Sequence, residues 1–287
     1  MQDDFLEREP DGSRSGMKTA LQVAERRTIA DFSEQWSRYP SNEGFYASAE
    51  LLADILGPLL TLEELKDRTV LEVGSGTGRI VNMLFAAGVR HVYAVEPAPV
   101  AFEALKRNTA AHREQICYLN QRGDELPPNL DLDLVLSIGV IHHIPDPQHT
   151  LRQCYRVLRP GGQIVIWVYG KEGNELYLKF LLPLRRVTVH LPHWLLAALS
   201  HALNSSLSAY IGLCRRFQLP LRDYAVNVLG RMTRDKRYLV IYDQLNPTHA
   251  AYYTKQEVQH LLADAGFTDI RLHHRRGYSW TALGVRD

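Results

Sequence analysis

Thr69-Val70-Leu71-Glu72-Val73-Gly74-Ser75-Gly76-Thr77-Gly78-Arg79 decides how this 287-residue chain folds. Its first five residues are a short apolar run of the kind that forms a buried strand. Three glycines at alternate positions follow. Ile80, Val81, Leu84 and Phe85 then recur at helical spacing. Glycine is needed where a tight turn brings the backbone directly against a ligand, and the start of the next helix offers free N–H groups and a partial positive charge. The dinucleotide fingerprint G-x-G-x-x-G would need glycine where Arg79 stands. The spacing is instead G-x-G-x-G, with Glu72 two positions ahead of the first glycine. A purely structural turn could carry the same residues.

Outward from this loop the alternation continues. His91–Val95, Cys117–Leu119, Leu132–Ile138 and Gln163–Tyr169 read as further strands, with helices over 100–111 and 147–158 between them. Strands alternating with helices at this spacing predict parallel βαβ units with right-handed crossovers. Residues 171–245 break the rhythm: they are helical by pattern and hold eleven Lys/Arg against five Asp/Glu. Lys255–Ala265 then reads as a helix ended by Gly266, and strands over 270–274 and 280–285 flank a short turn at Gly277, so they should form an antiparallel hairpin. Upstream, residues 1–18 are polar and precede helical patterns over 17–32 and 47–60. The expected fold is α/β: a doubly wound, seven-stranded, mostly parallel sheet with a C-terminal antiparallel hairpin and a helical insertion after the fifth strand. The expected divisions are an N-terminal tail and helical cap (1–60), a core (61–170), the insertion (171–245) and the completion of the sheet (246–287).

Composition narrows the class. The charged fraction of 23% is ordinary for a globular protein, and a net charge of +1 gives no footprint for wrapping a nucleic acid backbone. Cys117, Cys154 and Cys214 are odd in number and lack CxxC spacing, as expected of reduced thiols rather than a disulfide frame or zinc site. The polar start MQDDFLEREPDGSRSG has no apolar core of a signal peptide. The most apolar stretch, 191–213, is interrupted by Pro192, His193, His201, Asn204 and Gly212, so no membrane span is expected. The expectation is a cytoplasmic protein with no metal and no nucleic acid partner; its oligomeric state is not legible.

Glu96 ends the second strand about 20 residues beyond the loop, where an acidic side chain can accept both ribose hydroxyls of an adenosine. Nicotinamide enzymes use the same device, and a solvated strand-end glutamate would look alike. Two later segments discriminate. Asp131-Leu-Asp133-Leu-Val-Leu-Ser137-Ile-Gly-Val-Ile-His142-His143-Ile-Pro145-Asp146 resembles the fourth-strand motif of small-molecule methyltransferases, and Arg156-Val-Leu-Arg-Pro160-Gly161-Gly162 resembles their turn into the fifth strand. Taken with the G-x-G-x-G loop, which is similar to the family's motif I, the chain resembles the class I S-adenosylmethionine (SAM) methyltransferases of the broad type 11/12 branch. The resemblance covers residues 69–170 and 254–287.

It implies methyl transfer from SAM, leaving S-adenosylhomocysteine (SAH), to an O or N atom of a small metabolite or natural product. It also implies a cofactor site built from Glu72, Gly74, Ser75, Gly76, Gly78, Glu96, Pro97 and Ser137. Asp124 or its rival Glu125 would accept from the adenine amino group, and Trp36, Arg38 or Tyr39 would meet the methionine carboxylate. The segment around Gly123-Asp124-Glu125-Leu126-Pro127 is more compact than the family's usual one, which puts that adenine contact in doubt. The fourth strand ends in Ser137-Ile-Gly-Val rather than D/N-P-P-Y/F, and no Pro-Cys pair follows, which sets aside amide, exocyclic-amine and cytosine C5 chemistry.

His142 or His143, just past the fourth strand, could serve as general base, since an unperturbed histidine titrates near pH ~6.5. Packing and capping would place histidines there equally. His249 and Tyr253 follow the insertion and are further catalytic candidates, or parts of a surface loop. The insertion itself should be a helical lid over the substrate, and its pairs Arg185-Arg186 and Arg215-Arg216 could meet a phosphate or carboxylate, or simply face solvent. Methylation of RNA or protein, a non-catalytic SAM-binding role and a nicotinamide-dependent oxidoreductase remain alternatives.

Overall fold

The computed structural model describes residues 21, 23, 24, 26–33, 42, 44–128 and 130–287. Seven strands form one sheet: β1 (Thr69–Val73), β2 (His91–Val95), β3 (Ile116–Leu119), β4 (Leu132–Ile138), β5 (Leu158–Tyr169), β6 (Thr268–Arg275) and β7 (Ser279–Val285). Their order is β3-β2-β1-β4-β5-β7-β6. β1 pairs in parallel with β2 and β4, β2 with β3, and β4 with β5, whereas β7 runs antiparallel to both β5 and β6. The doubly wound sheet with its antiparallel hairpin is as expected. At the hairpin turn Arg276 (φ 49°) and Gly277 (φ 73°) both take positive φ.

Helices cover both faces. Against one lie α1 (Ala49–Leu56), α2 (Arg79–Ala86) and α3 (Pro99–Asn108), through Leu52, Leu84 and Leu105. Against the other lie α4 (Pro147–Val157) and α9 (Lys255–Ala263), through Leu151, Cys154, Val258 and Leu262. The helix expected over 47–60 is shorter, because Gly57 (φ 59°) caps α1 and a 3-10 turn Gly57–Leu59 follows. The fifth strand is longer than expected: Leu158 already pairs with Leu132, and the ladder shifts register before Leu134 meets Gln163, so Arg159–Gly162 bulge out of it.

The insertion is helical: α5 (Glu175–Thr188), α6 (His193–Arg216), α7 (Arg222–Asn227) and α8 (Arg234–Leu245). It has a small core of its own around Leu178, Leu181, Leu196, Tyr238 and Tyr242. Ile211, Cys214, Val228 and Met232 instead join the core beside α1 and α2. The insertion is thus packed down on the C-terminal edge of the sheet, while the described residues within 21–33 form a helical segment over the same edge. No helix among the described residues is long and apolar enough to cross a membrane.

Candidate functional site

The chain turns from the β1–β2–β3 half of the sheet to the β4–β5 half between β1 and β4, and ligands of open α/β sheets bind at that switch point. A cavity of about 270 Å³ lies there. Its floor is Glu72, the Gly74–Thr77 loop, Glu96 and Pro97. Gly74 (φ 75°) and Ser75 donate their N–H groups to Val95 O at 2.8 and 2.9 Å, which pins the loop to the end of β2. A Cβ on Gly74 would lie 2.5 Å from Val140 Cγ2, so the β4 end leaves room for glycine alone. Gly78 (φ 85°) caps α2 in the left-handed region rather than lining the cavity.

Glu96 is 6% exposed and accepts from Gly76 N–H (2.8 Å, Oε2) and Ala98 N–H (2.9 Å, Oε1). Burial still pushes its carboxyl up to about 7, those two bonds lowering it only in part. Burial pushes Glu72 up to about 8, and its Oε2 lies buried with no hydrogen-bond partner. A buried acceptor facing a glycine cradle fits the cationic amino end of an amino-acid-bearing nucleoside, and the Glu96 carboxylate fits its ribose.

The structure sorts the other expected site residues. Asp124 and Glu125 do not line the cavity. Arg122 takes Asp124 in a two-point pair (2.9 and 2.6 Å), Glu125 accepts from Arg122 N–H (3.1 Å), and Arg122 and Gly123 face the cavity in their place. Ser137 sits fully buried within β4 and its Oγ has no partner. Trp36, Arg38 and Tyr39 lie outside the described residues, although Thr28, Ile29 and Phe32 just upstream do line the cavity.

His143 reaches the cavity and its Nδ1 lies 2.8 Å from His249 O. A carbonyl only accepts, so the proton sits on Nδ1 and Nε2 carries the lone pair. Burial holds this imidazole below its ordinary value, hence neutral. His142 is enclosed, its ring tilted at 32° against the Tyr169 ring with centroids 3.9 Å apart, and does not line the cavity. Tyr253 uses its backbone to bridge Gly170 beside the end of β5, and burial pushes its phenol up to about 12. Neither it nor the His249 side chain lines the cavity. Arg185 is buried and donates to Gln244 O (2.7 Å) and Tyr252 O–H (2.8 Å), so it ties α5 to the end of the insertion and to the segment that follows it. Arg186, Arg215 and Arg216 are exposed and away from the cavity.

Several lining residues were not singled out from sequence: Tyr46, Arg79, Tyr169, Asp243, Arg275 and Tyr278. Arg79 donates to Tyr46 O (3.1 Å) and lies over the Tyr46 ring (4.4 Å). Tyr169 ends β5, the strand-end logic that found Glu96; its hydroxyl donates to Asp243 (3.4 Å) and accepts from Gln244 (2.7 Å). Arg275 and Tyr278 come from the hairpin some 200 residues away, where no local pattern marks them.

Fold and site together describe an α/β domain whose glycine loop and strand-end carboxylate have the geometry and chemistry that suit an adenosine-containing donor. Residues 71–166, a third of the chain, match the methyltransferase-domain family, and over that span the chain is similar to the class I methyltransferases, whose cofactor is SAM. A tRNA U34 carboxymethyltransferase of Shewanella piezotolerans is 35% identical over 117 residues, which is 40% of this chain and 35% of the relative. The chain thus spans about a third of the length of the curated relatives it matches. Among solved structures, the pyocyanin biosynthetic protein PhzM is similar in fold (TM-score 0.50, 14% identity, 83% of this chain and 55% of that one). An S-adenosylmethionine-dependent methyltransferase from Mesorhizobium loti aligns with TM-score 0.48 at 18% identity, over 83% of this chain and 98% of that one.

Proposed function

We propose that this protein is a cytoplasmic methyltransferase acting on an O or N atom of a small-molecule acceptor held under the insertion. One observation carries this reading: the cavity runs from the glycine loop and Glu96 to a roof made by Tyr224, Val228, Met232 and Val240 of the insertion. An acceptor group placed there meets Val228, Met232 and Val240, with His143, Tyr169, Asp243, Gln244, Arg275 and Tyr278 among the polar groups of the same lining.

When bound, SAM supplies an electrophilic methyl group on a sulfonium. The protein's part is to hold an acceptor in line with it, a positioning effect that can lower the barrier by roughly 7–11 kcal/mol. Glu72 and the Gly74–Gly76 backbone hold the amino-acid end of the cofactor, and Glu96 accepts from its ribose. His143 Nε2 takes the proton of a hydroxyl or amine acceptor, Nδ1 staying bonded to His249 O. The insertion (171–245) is the substrate lid and excludes water.

An RNA acceptor is the second reading, and the tRNA enzymes among the relatives are its support. Incubation with methyl-labelled SAM, first with a pool of small cellular metabolites and then with total tRNA, separates the two. Label in a low-molecular-weight product supports the small-molecule acceptor; label confined to tRNA overturns it.

A further inference from the structure

A surface helix ordinarily buries one apolar stripe and turns polar residues to water. Helix α5 departs from this. Its inner face, Leu178, Leu181, Arg185 and Thr188, is buried. Its outer face carries Leu176 (62% exposed), Phe180 (69%) and Val187 (60%) at i, i+4 and i+11, with Pro183 between. Six residues beyond the helix, Trp194 is 69% exposed at the start of α6. Of the twelve large hydrophobic side chains exposed among the described residues, eight fall within 176–195. A concentration of this kind marks an interaction surface rather than scattered surface leucines.

Charge identifies the partner. From Leu176 to Arg222 the sequence contains no Asp or Glu. Lys179 and Arg186, seven residues apart, run along one edge of the α5 stripe, and both are exposed. An apolar stripe carrying Phe180, bordered by Lys179 and Arg186 with Glu175 in the first turn as the one acid of the helix, matches the interface of an anionic bilayer: the apolar groups enter the acyl boundary and the cations reach headgroup phosphates. The face also sits over the cavity roof, since Tyr177 O–H donates to Gln244 Oε1 (3.3 Å) and Gln244 lines the cavity.

We propose that the outer face of α5, with Trp194, docks the protein reversibly on an anionic lipid membrane. Co-sedimentation with vesicles of phosphatidylcholine alone and of phosphatidylcholine with phosphatidylglycerol tests it. The chain should bind the anionic vesicles and leave the neutral ones largely in solution. K179E/R186E should lower the partition coefficient by about tenfold or more, and binding should weaken as salt rises. F180S/W194S should abolish binding. These residues are exposed and lie outside the cavity, so circular dichroism and SAH affinity should be unchanged in both variants. Failure of the folded, SAH-binding protein to bind anionic vesicles overturns the proposal, as does equal binding to neutral ones or binding indifferent to F180S/W194S. Sedimentation velocity supplies a further arm: a dimer dissolved by F180S/W194S would make the face a contact between two copies, and overturn the membrane assignment.

Discussion

Gly76 donates its backbone N–H to Glu96 Oε2 at 2.8 Å, so one carboxylate clasps the glycine loop after β1 to the end of β2. The same carboxylate, facing the cavity, is the group that a ribose would meet. Glu96→Ala removes both functions. Since hydrogen bonds to a charged group contribute about 1.5–3 kcal/mol, SAH affinity measured by calorimetry should fall roughly 10- to 100-fold. Unchanged affinity would take Glu96 out of the site.

The carboxyls of Glu72 and Glu96 make stability depend on pH with a definite sign. Each holds its proton to higher pH in the folded chain, to about 8 and about 7, than its ordinary value of 4.5. Their contribution is fully present below 4.5 and is lost as the pH rises through 7 and 8. Buried His142 and His143, held below 6.5, act in the opposite sense and lose stability as the pH falls. Glu72→Gln should therefore show a smaller drop in melting temperature than the parent between about pH 5 and pH 9, measured without cofactor. An equal drop in both would remove Glu72 as the source.

Histidine substitutions should separate the neighbours. His143→Ala should lower turnover by about 10²–10⁴-fold while leaving SAH affinity within about twofold, the pattern of a lost general base. His142→Phe, at a position packed against the Tyr169 ring and shut off from the cavity, should keep most of the turnover. The reverse outcome would exchange their roles.

Gly74→Ala places a methyl 2.5 Å from Val140 Cγ2 at a residue whose φ is 75°. Strain in the left-handed region plus the clash should cost about 1–3 kcal/mol and weaken SAH binding. Denaturant unfolding and calorimetry on the same sample would check both, and a neutral result would mean that β4 yields at Val140.

Asp54 accepts from both Arg275 and Arg276, and Arg276 continues to Asp223 at the start of α7. Arg275 is only 3% exposed, so Asp54→Asn leaves a buried cation short of its partner and should destabilise by roughly 3–5 kcal/mol. Arg276→Gln removes the bridge to α7 together with its own pair to Asp54, leaves Arg275 on Asp54, and should chiefly raise hydrogen exchange across residues 217–233. Protection there equal to the parent would show that apolar packing alone holds the insertion down.

How far the sequence could be read follows from the range of the interactions involved. That Glu72–Thr77 and Glu96 line the cleft was legible because a loop leaving a strand and a residue ending one are set by local spacing, whereas Gly78 caps α2 instead. His143 was found together with His142, but only the fold separates them, since neighbours past a strand end point different ways. Asp124 misled because Arg122, two residues away, claims its carboxylate, and local spacing alone does not tell a paired acid from a waiting one. Arg275 and Tyr278 could not be inferred, because the β6–β7 hairpin brings them to the cavity from the far end of the chain.

The alternation of apolar strands with amphipathic helices and the glycines after β1 were by themselves enough to determine the doubly wound sheet and the place of its cleft, since period and backbone freedom are local properties. Tertiary structure alone decided which tyrosine, histidine and arginine face that cleft and what roofs it. It also decided that α5 keeps a second apolar face toward solvent, for burial is settled by which surfaces meet and one strand of sequence does not record its neighbours.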